Sequence, residues 1–175
     1  MAPTLYLIGP SQVGKSTAAG ALESGGTIRH VDLDAVLRSR REDRALILVT
    51  QDWAVVEPVL AEYDALTTDP PTLITIGAGT LDRDREHRDH KLEHWLIERR
   101  HRVILIEGDR AVLFSRTVVH QDAPERFAAL EFGPARMRIY ETAGHVVSFI
   151  GVGPAEAANR LAMTVRLASG IELGH

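Results

Sequence analysis

A glycine-rich segment near the N-terminus has the residue types and spacing of a phosphate-binding loop. Residues 9–17 read Gly-Pro-Ser-Gln-Val-Gly-Lys-Ser-Thr and fit the pattern G-x-x-x-x-G-K-[ST] at every fixed position. Backbone N–H groups of such a loop point at phosphate oxygens, and the N-terminus of the following helix adds a partial positive charge. Lys15 is expected to reach the β- and γ-phosphates of a nucleotide, and Ser16 is expected to coordinate Mg²⁺. The residues predicted to contact the nucleotide in this loop are Gly9, Ser11, Gln12, Val13, Gly14, Lys15, Ser16 and Thr17.

Two carboxylates, Asp32 and Asp34, follow the second predicted strand with one residue between them. Side chains two residues apart leave an extended strand on the same face. Beside nucleotide phosphates, one carboxylate can hold Mg²⁺, directly or through water, and the other can accept a proton from a substrate hydroxyl. The structural alternative is that Asp34 caps a helix that begins at Ala35.

A second glycine-rich segment, Gly77-Ala78-Gly79, follows the third predicted strand. Residues with little or no side chain let a substrate or a phosphate approach the backbone closely. The same residues also suit a tight turn from a strand into a loop, so this segment is a weaker indication of a site than the phosphate-binding loop.

The elements that must position these residues alternate between strand and helix along the chain. Strands are predicted at residues 4–8, 28–31, 73–76, 103–106 and 145–150, and helices at 15–22, 35–49, 53–66, 82–100, 110–119, 127–140 and 154–167. This alternation predicts an α/β fold, a three-layer sandwich with a central five-stranded parallel sheet, in a single domain spanning residues 1–175. Ligands bind at the carboxyl ends of parallel strands, so the three segments above should meet at one edge.

The composition excludes several classes of protein. The net charge of −4 disfavours nucleic-acid binding, and the absence of cysteine excludes disulfides and thiolate metal sites. No apolar run reaches the roughly 18 residues that a membrane-spanning helix needs, and the first residues lack the basic region of a signal peptide. We expect a cytoplasmic protein, a monomer or weak homodimer, whose partner is a small molecule rather than a nucleic acid or a membrane.

Four segments together resemble shikimate kinase, within the nucleoside-monophosphate-kinase-like group of P-loop enzymes. They are the loop at residues 9–17, Asp32-x-Asp34, Gly77-Ala78-Gly79 and Arg136-Met-Arg-Ile-Tyr140, and the resemblance extends in order over nearly the whole chain. The resemblance implies a P-loop NTPase fold and a kinase that uses ATP and Mg²⁺ to phosphorylate a hydroxyl group.

The resemblance also implies a role for each matching residue. Lys15 and Ser16 would take the ATP phosphates and Mg²⁺, Asp32 would lie in the outer shell of the metal, and Arg116 falls where the family has an arginine against the adenine ring. Lys15 and Asp34 would be the catalytic residues, with Asp34 binding the substrate hydroxyls and acting as the base. The acceptor pocket would be lined by Asp34, Gly77, Ala78, Gly79 and Arg136, with Arg136 paired to an anionic group of the acceptor.

Three departures from the family predict a different acceptor. Ala78 adds a methyl group to the glycine triplet, residues 52–58 of the acceptor-binding helical region near 33–66 contain no arginine, and neither do residues 117–122 of the short lid near 117–126. Binding a carboxylate with two hydrogen bonds requires a guanidinium group. Residues 52–58 instead carry apolar and acidic side chains, which suit a less anionic, hydroxyl-rich or amine-bearing acceptor, or serve as ordinary helix packing.

The sequence therefore predicts an ATP-dependent kinase that transfers the γ-phosphoryl group to a hydroxyl of a small metabolite other than shikimate. Two alternatives stay open. One is a nucleotide-binding regulatory or degenerate P-loop protein that has lost kinase activity, and the other is a true shikimate kinase.

Overall fold

A computed structural model describes residues 1–40, 53–77, 80, 90–116 and 123–170. The strands are β1 (Ala2–Pro3), β2 (Leu5–Ile8), β3 (Arg29–Asp32), β4 (Thr67–Thr68), β5 (Thr72–Thr75), β6 (Val103–Glu107) and β7 (His145–Ser148). The helices are α1 (Lys15–Ser24), α2 (Leu33–Ser39), α3 (Trp53–Asp64), α4 (Lys91–Glu98), α5 (Arg110–Arg116), α6 (Pro124–Phe132), α7 (Pro134–Tyr140) and α8 (Pro154–Ala168). None of the helices within these ranges has both the length and the apolar character that crossing a bilayer requires.

Five strands form one parallel sheet in the order β3-β5-β2-β6-β7. The central strand β2 pairs Leu7 with Thr75 of β5 on one side and with Ile104 of β6 on the other. The short strands β1 and β4, which the sequence did not predict, pair antiparallel outside this sheet. The predicted α/β fold with a central five-stranded parallel sheet is confirmed.

Hydrophobic layers cover both faces of the sheet, as a parallel sheet requires. Because side chains alternate along a strand, Leu5 and Leu7 of β2 pack on one face while Tyr6 and Ile8 pack on the other. The first face is covered mainly by α1 and α8, and the second by α2, α3, α4 and α7. The carboxyl ends of the strands are thereby held at one edge of a rigid three-layer core.

Several helix boundaries differ from the predictions. Helix α2 begins at Leu33 rather than Ala35, since the carboxylate of Asp32 accepts the Ala35 N–H at 3.1 Å and caps it. Helix α6 begins at Pro124, where the missing N–H of proline costs nothing in a first turn. The predicted interruption at Gly133 and Pro134 is confirmed as the break between α6 and α7.

The apolar residues at the start of α3 serve as packing. Trp53 contacts Trp95 of α4 edge to face, with ring centroids 6.0 Å apart, and Val56 is buried in the core. The packing interpretation of residues 53–58 is therefore supported, whereas residues 41–52 of the predicted acceptor region lie outside the described residues.

A charged cluster lies on the sheet side of α3, centred on Asp64. Its carboxylate accepts the Tyr6 hydroxyl at 2.7 Å and pairs with Arg99 at 2.9 Å and Arg102 at 2.8 Å. Partial burial alone would raise the pKa of Asp64, but the hydrogen bonds from Tyr6 and Arg99 and the two arginine charges outweigh it and hold this pKa below its usual value. Asp64 therefore ties α3 to β2 and to the segment that precedes β6.

Replacing Asp64 tests this cluster. Asp64→Asn should lower the free energy of unfolding by about 2 kcal/mol at pH 7, because Arg102 loses its ion pair with Asp64 and Arg99 keeps only the one with the exposed Glu98. A group whose pKa is lowered by folding contributes stability above its unfolded pKa and loses it on protonation, so the difference from wild type should shrink below about pH 4. Urea unfolding at pH 7, 5 and 3 measures both effects.

Glu98→Gln is the matched control, because Glu98 also pairs with Arg99, at 3.0 Å, but its side chain is 72% exposed. Exposed ion pairs contribute at most about 1 kcal/mol, so this variant should unfold nearly as wild type does. Equal destabilisation by the two substitutions would contradict the assigned role of Asp64.

Candidate active site

The predicted phosphate-binding loop, between β2 and α1, turns tightly through three residues with positive φ angles. Positive φ angles occur at Gly9 (151°), Gln12 (62°) and Gly14 (97°). Only glycine fits at position 9, since a Cβ there would lie 2.7 Å from the carbonyl oxygen of Ile106 in the neighbouring strand. The turn ends where the Ala18 N–H donates to the Gly14 carbonyl at 2.9 Å, so α1 starts at Lys15. Ser16 and Thr17 lie exposed in its first turn.

Lys15 is almost fully buried against its own loop. Its Nζ donates to the Gly9 carbonyl at 2.9 Å and to the Pro10 carbonyl at 2.8 Å, and the residue is 9% exposed. Burial lowers the pKa of Lys15 to about 8, although the charges of nearby carboxylates oppose this shift. The loop thus holds an ammonium whose only described hydrogen-bond acceptors are two backbone oxygens.

Asp32 and Asp34 both lie close enough to act on the charge of Lys15. The sequence argument for their common orientation was wrong, because only Asp32 belongs to a strand and Asp34 lies in the first turn of α2. Asp32, not Asp34, supplies the helix cap. Asp34 instead accepts a hydrogen bond from Thr80, whose Oγ1 donates to its Oδ1 at 2.8 Å. Thr80 was missed by the sequence analysis, although it directly follows the second glycine-rich segment.

Gly77 makes room for the Asp34 carboxylate. A Cβ at position 77 would overlap Oδ2 of Asp34 and lie 2.8 Å from its Cγ. The absence of a side chain at Gly77 is therefore needed for the position of Asp34. Ala78 and Gly79, the other two predicted residues of this segment, lie outside the described residues.

A buried ion pair joins the loop to α6 and α7. Arg136 Nη1 donates to Glu131 Oε2 at 2.6 Å, and the two side chains are 3% and 9% exposed. The same Oε2 accepts the Ser11 N–H at 3.0 Å. Arg136 was expected on an anionic group of the acceptor, and the structure places it on Glu131, so the acceptor contact stays a prediction. Glu131 itself was not predicted, since no spacing in the sequence links it to Ser11.

A cleft of about 350 Å³ opens beside the loop, on the side away from Asp34's helix. Arg116 lies on its wall, so the structure brings this predicted residue to the same cavity as Val13, Gly14 and Thr17. The volume lies at the lower end of the range for small-molecule sites, roughly 300–1,000 Å³. The remaining lining residues are Ala18, Gly108, Asp109, Val112, Leu113, Phe149, Ile150, Gly151, Val152, Pro154 and Ala157.

Other predicted features are only partly described. Residues 117–122 of the predicted lid near 117–126 lie outside the described residues, and Arg126, the last residue of that lid, is exposed in α6. Within the described ranges no group of three or more His, Asp or Glu side chains could hold a metal ion.

Comparison with known proteins identifies the fold. No family model matches the chain, and no curated protein matches it in sequence. Among solved structures it is similar to shikimate kinase from Aquifex aeolicus vf5, with 18% identity and a TM-score of 0.58 over 92% of this chain and 94% of that one. It is also similar to shikimate kinase from Acinetobacter baumannii in complex with shikimate, with 18% identity and a TM-score of 0.61 over 99% and 97% of the two chains.

The chain has the shikimate kinase fold. The predicted P-loop fold and its extent over nearly the whole chain are confirmed by these coverages. The roles of the individual site residues and the single domain of residues 1–175 stay predictions.

Nucleotide affinity should depend on the protonation of Lys15. With a pKa of about 8, Lys15 is mostly charged at pH 7 and mostly neutral at pH 9 in the free protein. Phosphates bind the charged form, so the Kd for MgADP should rise roughly tenfold from pH 7 to pH 9. Isothermal titration calorimetry measures this rise. A Kd that stays constant over this range would contradict the predicted contact between Lys15 and phosphate.

Gly77→Ala should separate activity from stability. The new methyl group must displace the Asp34 carboxylate, which is the mobile end of a side chain, so the melting temperature should change little while turnover falls at least about tenfold. Gly20→Ala in α1 is the control, because a Cβ there meets no atom within 4 Å. Equal turnover in the two variants would show that the position of Asp34 does not matter.

Proposed function

We propose that the protein is an ATP-dependent kinase that transfers the γ-phosphoryl group of ATP to a hydroxyl of a small metabolite. The main supporting observation is that Asp34 lies close enough to Lys15, at the same edge of the sheet, for its charge to act on the lysine. Lys15 belongs to the predicted phosphate-binding loop, and Asp34 accepts a hydrogen bond from Thr80. A buried ammonium for phosphate and a positioned carboxylate for a hydroxyl proton are the two groups that phosphoryl transfer to an alcohol needs.

The nucleotide would occupy the loop and the neighbouring cleft. Arg116 and the apolar residues of the cleft would contact the base, since an aromatic ring packs well against a guanidinium plane. The phosphates would replace the Gly9 and Pro10 carbonyls as partners of Lys15, at the N-terminus of α1. This exchange gives the ammonium charged acceptors in place of neutral ones and stabilises the bound state.

The residues near the loop fit a magnesium ion. Ser16 offers an exposed hydroxyl, and Asp32 offers a half-buried carboxylate of which only Oδ1 has a described hydrogen bond, so both present the oxygen atoms that Mg²⁺ prefers. Ser16 and Asp32 would hold Mg²⁺, which when bound would supply positive charge that neutralises the nucleotide phosphates.

The acceptor would approach from the side of Asp34. Thr80 holds one oxygen of this carboxylate, and Gly77 leaves space beside the other. The oxygen of the acceptor hydroxyl would form a bond to the γ-phosphorus, and the bond from that phosphorus to the ADP oxygen would break. Asp34 would accept the proton that the hydroxyl loses. We expect the protein to act in the cytoplasm, as a monomer or weak homodimer.

Two other functions remain as alternatives, and the experiment below tests them as well. A nucleotide-binding regulator without kinase activity is favoured by the Glu131 contact, because the predicted acceptor residue Arg136 is engaged within the protein. The second is a true shikimate kinase, since shikimate is the ligand of the similar Acinetobacter baumannii structure.

An ATP-consumption screen over polyols, cyclitols, amino alcohols and shikimate tests the proposal. We expect at least one acceptor to raise turnover above the rate without acceptor. Asp34→Asn should reduce that turnover by about 10²-fold or more while leaving the Kd for MgADP nearly unchanged, because Asp34 acts on the hydroxyl rather than on the phosphates.

Glu141→Gln, an exposed carboxylate at the end of α7, serves as control and should keep wild-type turnover. Nucleotide binding without stimulation by any acceptor would instead favour the regulator. Failure to bind MgADP would refute both functions.

A further inference from the structure

The backbone of Asp34 is held by the core, but its carboxylate needs a further contact. Helix α2 is anchored because Leu33 and Leu37 are buried, and Asp32 caps its first turn, in which Asp34 lies. The last torsion of an aspartate side chain has only a broad preference, so an anchored backbone does not fix the plane of the two carboxylate oxygens. A hydrogen bond from another segment is required to fix it.

Thr80 provides that hydrogen bond. Its Oγ1 donates to Oδ1 of Asp34 at 2.8 Å, and the residue is buried. An ionised carboxylate only accepts hydrogen bonds, so the single hydroxyl proton of Thr80 is directed at this oxygen. The branched side chain of threonine is stiff about χ1, and burial limits the competition from water. Thr80 is therefore a rigid donor that sets the orientation of the Asp34 carboxylate.

The second oxygen of Asp34 has a different environment. Oδ2 lies against Gly77, at a place that a Cβ on residue 77 would fill. Among the described residues the Thr80 hydroxyl donates to Oδ1, and none donates a hydrogen bond to Oδ2. The hydroxyl of an acceptor could therefore donate to Oδ2 without displacing Thr80.

We propose that Thr80 is a positioning residue for phosphoryl transfer: by holding Oδ1 of Asp34 it leaves Oδ2 as the atom that accepts the proton of the acceptor hydroxyl. This inference rests on the kinase function proposed above. The hydroxyl oxygen bonds to the γ-phosphorus, the bond from that phosphorus to the ADP oxygen breaks, and the proton moves to Oδ2. Thr80 acts through Asp34 and exchanges no proton with the acceptor.

Thr80→Val is the main test, because valine keeps the shape of threonine and removes the donor. Turnover of MgATP with the most active acceptor of the screen above is compared with that of wild type. The carboxylate of Asp34 turns more freely in this variant, so kcat should fall at least about tenfold, and the loss should lie mainly in kcat rather than in KM for the acceptor. The Kd for MgADP should stay nearly unchanged.

Thr80→Ser shows whether the hydroxyl is the cause. Serine retains the donor and loses only the methyl group, so its kcat should stay close to that of wild type. A kcat in Thr80→Ser as low as that in Thr80→Val would overturn the proposal. If Thr80→Val does not fold, a large loss of kcat in folded Thr80→Ser would overturn it by itself, and a retained kcat would support it.

A double variant shows whether Thr80 acts through Asp34. In the Asp34→Asn background the proton acceptor is already lost, so adding Thr80→Val should lower the remaining turnover only slightly. The same fold loss in both backgrounds would mean that Thr80 acts independently of Asp34, and the proposed role would then be wrong.

Thr4→Val is the matched control. Thr4 is also a buried threonine, and its hydroxyl donates to the Tyr63 carbonyl at 2.6 Å, just before the start of β2 and at the opposite end of that strand from the loop. This variant should lower the melting temperature, as the loss of a buried hydrogen bond does, and keep the kcat of wild type. A loss of kcat equal to that in Thr80→Val would assign the effect to general destabilisation.

Failure of the proposed function gives a different result from failure of this inference. If wild type phosphorylates no acceptor of the screen, the kinase function is refuted and the role of Thr80 with it. If wild type is active and folded Thr80→Val keeps the same kcat, only the role of Thr80 is refuted.

Discussion

The site is organised around the burial of the Lys15 ammonium. A buried charge must find partners, and in the free protein this one uses two carbonyl oxygens of the loop from which it projects. The surrounding carboxylates favour its charged form, while burial and Arg136 oppose it, which leaves the pKa of Lys15 near 8. The positions of Asp32, Asp34, Glu131 and Arg136 all bear on this balance. The charged form of Lys15 therefore depends on side chains from four other positions in the chain.

The parallel sheet brings these groups together. The loop leaves β2, Asp32 ends β3, and Gly77 follows β5, three strands that are neighbours in the sheet. Their apolar side chains, packed on both faces, hold the strand ends in a fixed relation. Positioning is the main contribution that a protein makes to phosphoryl transfer, so the proposed function requires a firmly packed core beneath the site.

The sequence was sufficient for the parts of the site whose contacts are local. The loop, the α/β fold with its parallel sheet and the place of Gly77 follow from motifs and from alternation of elements. Glu131 could not be predicted, because it meets Ser11 across 120 residues and no periodicity connects them. The role of Asp32 as a cap was also missed, since the start of α2 depends on one side-chain hydrogen bond rather than on apolar spacing. Thr80 was overlooked because a threonine after a glycine-rich turn has no distinctive pattern.

The two ends of strand β2 contact different parts of the protein. Its first half carries Tyr6, which binds the Asp64 cluster, and its last residue, Ile8, leads directly into the phosphate-binding loop. The two ends share a strand but have no charged group in common among the contacts described above. The Asp64 end could therefore be redesigned for heat resistance without any change to the residues of the loop end.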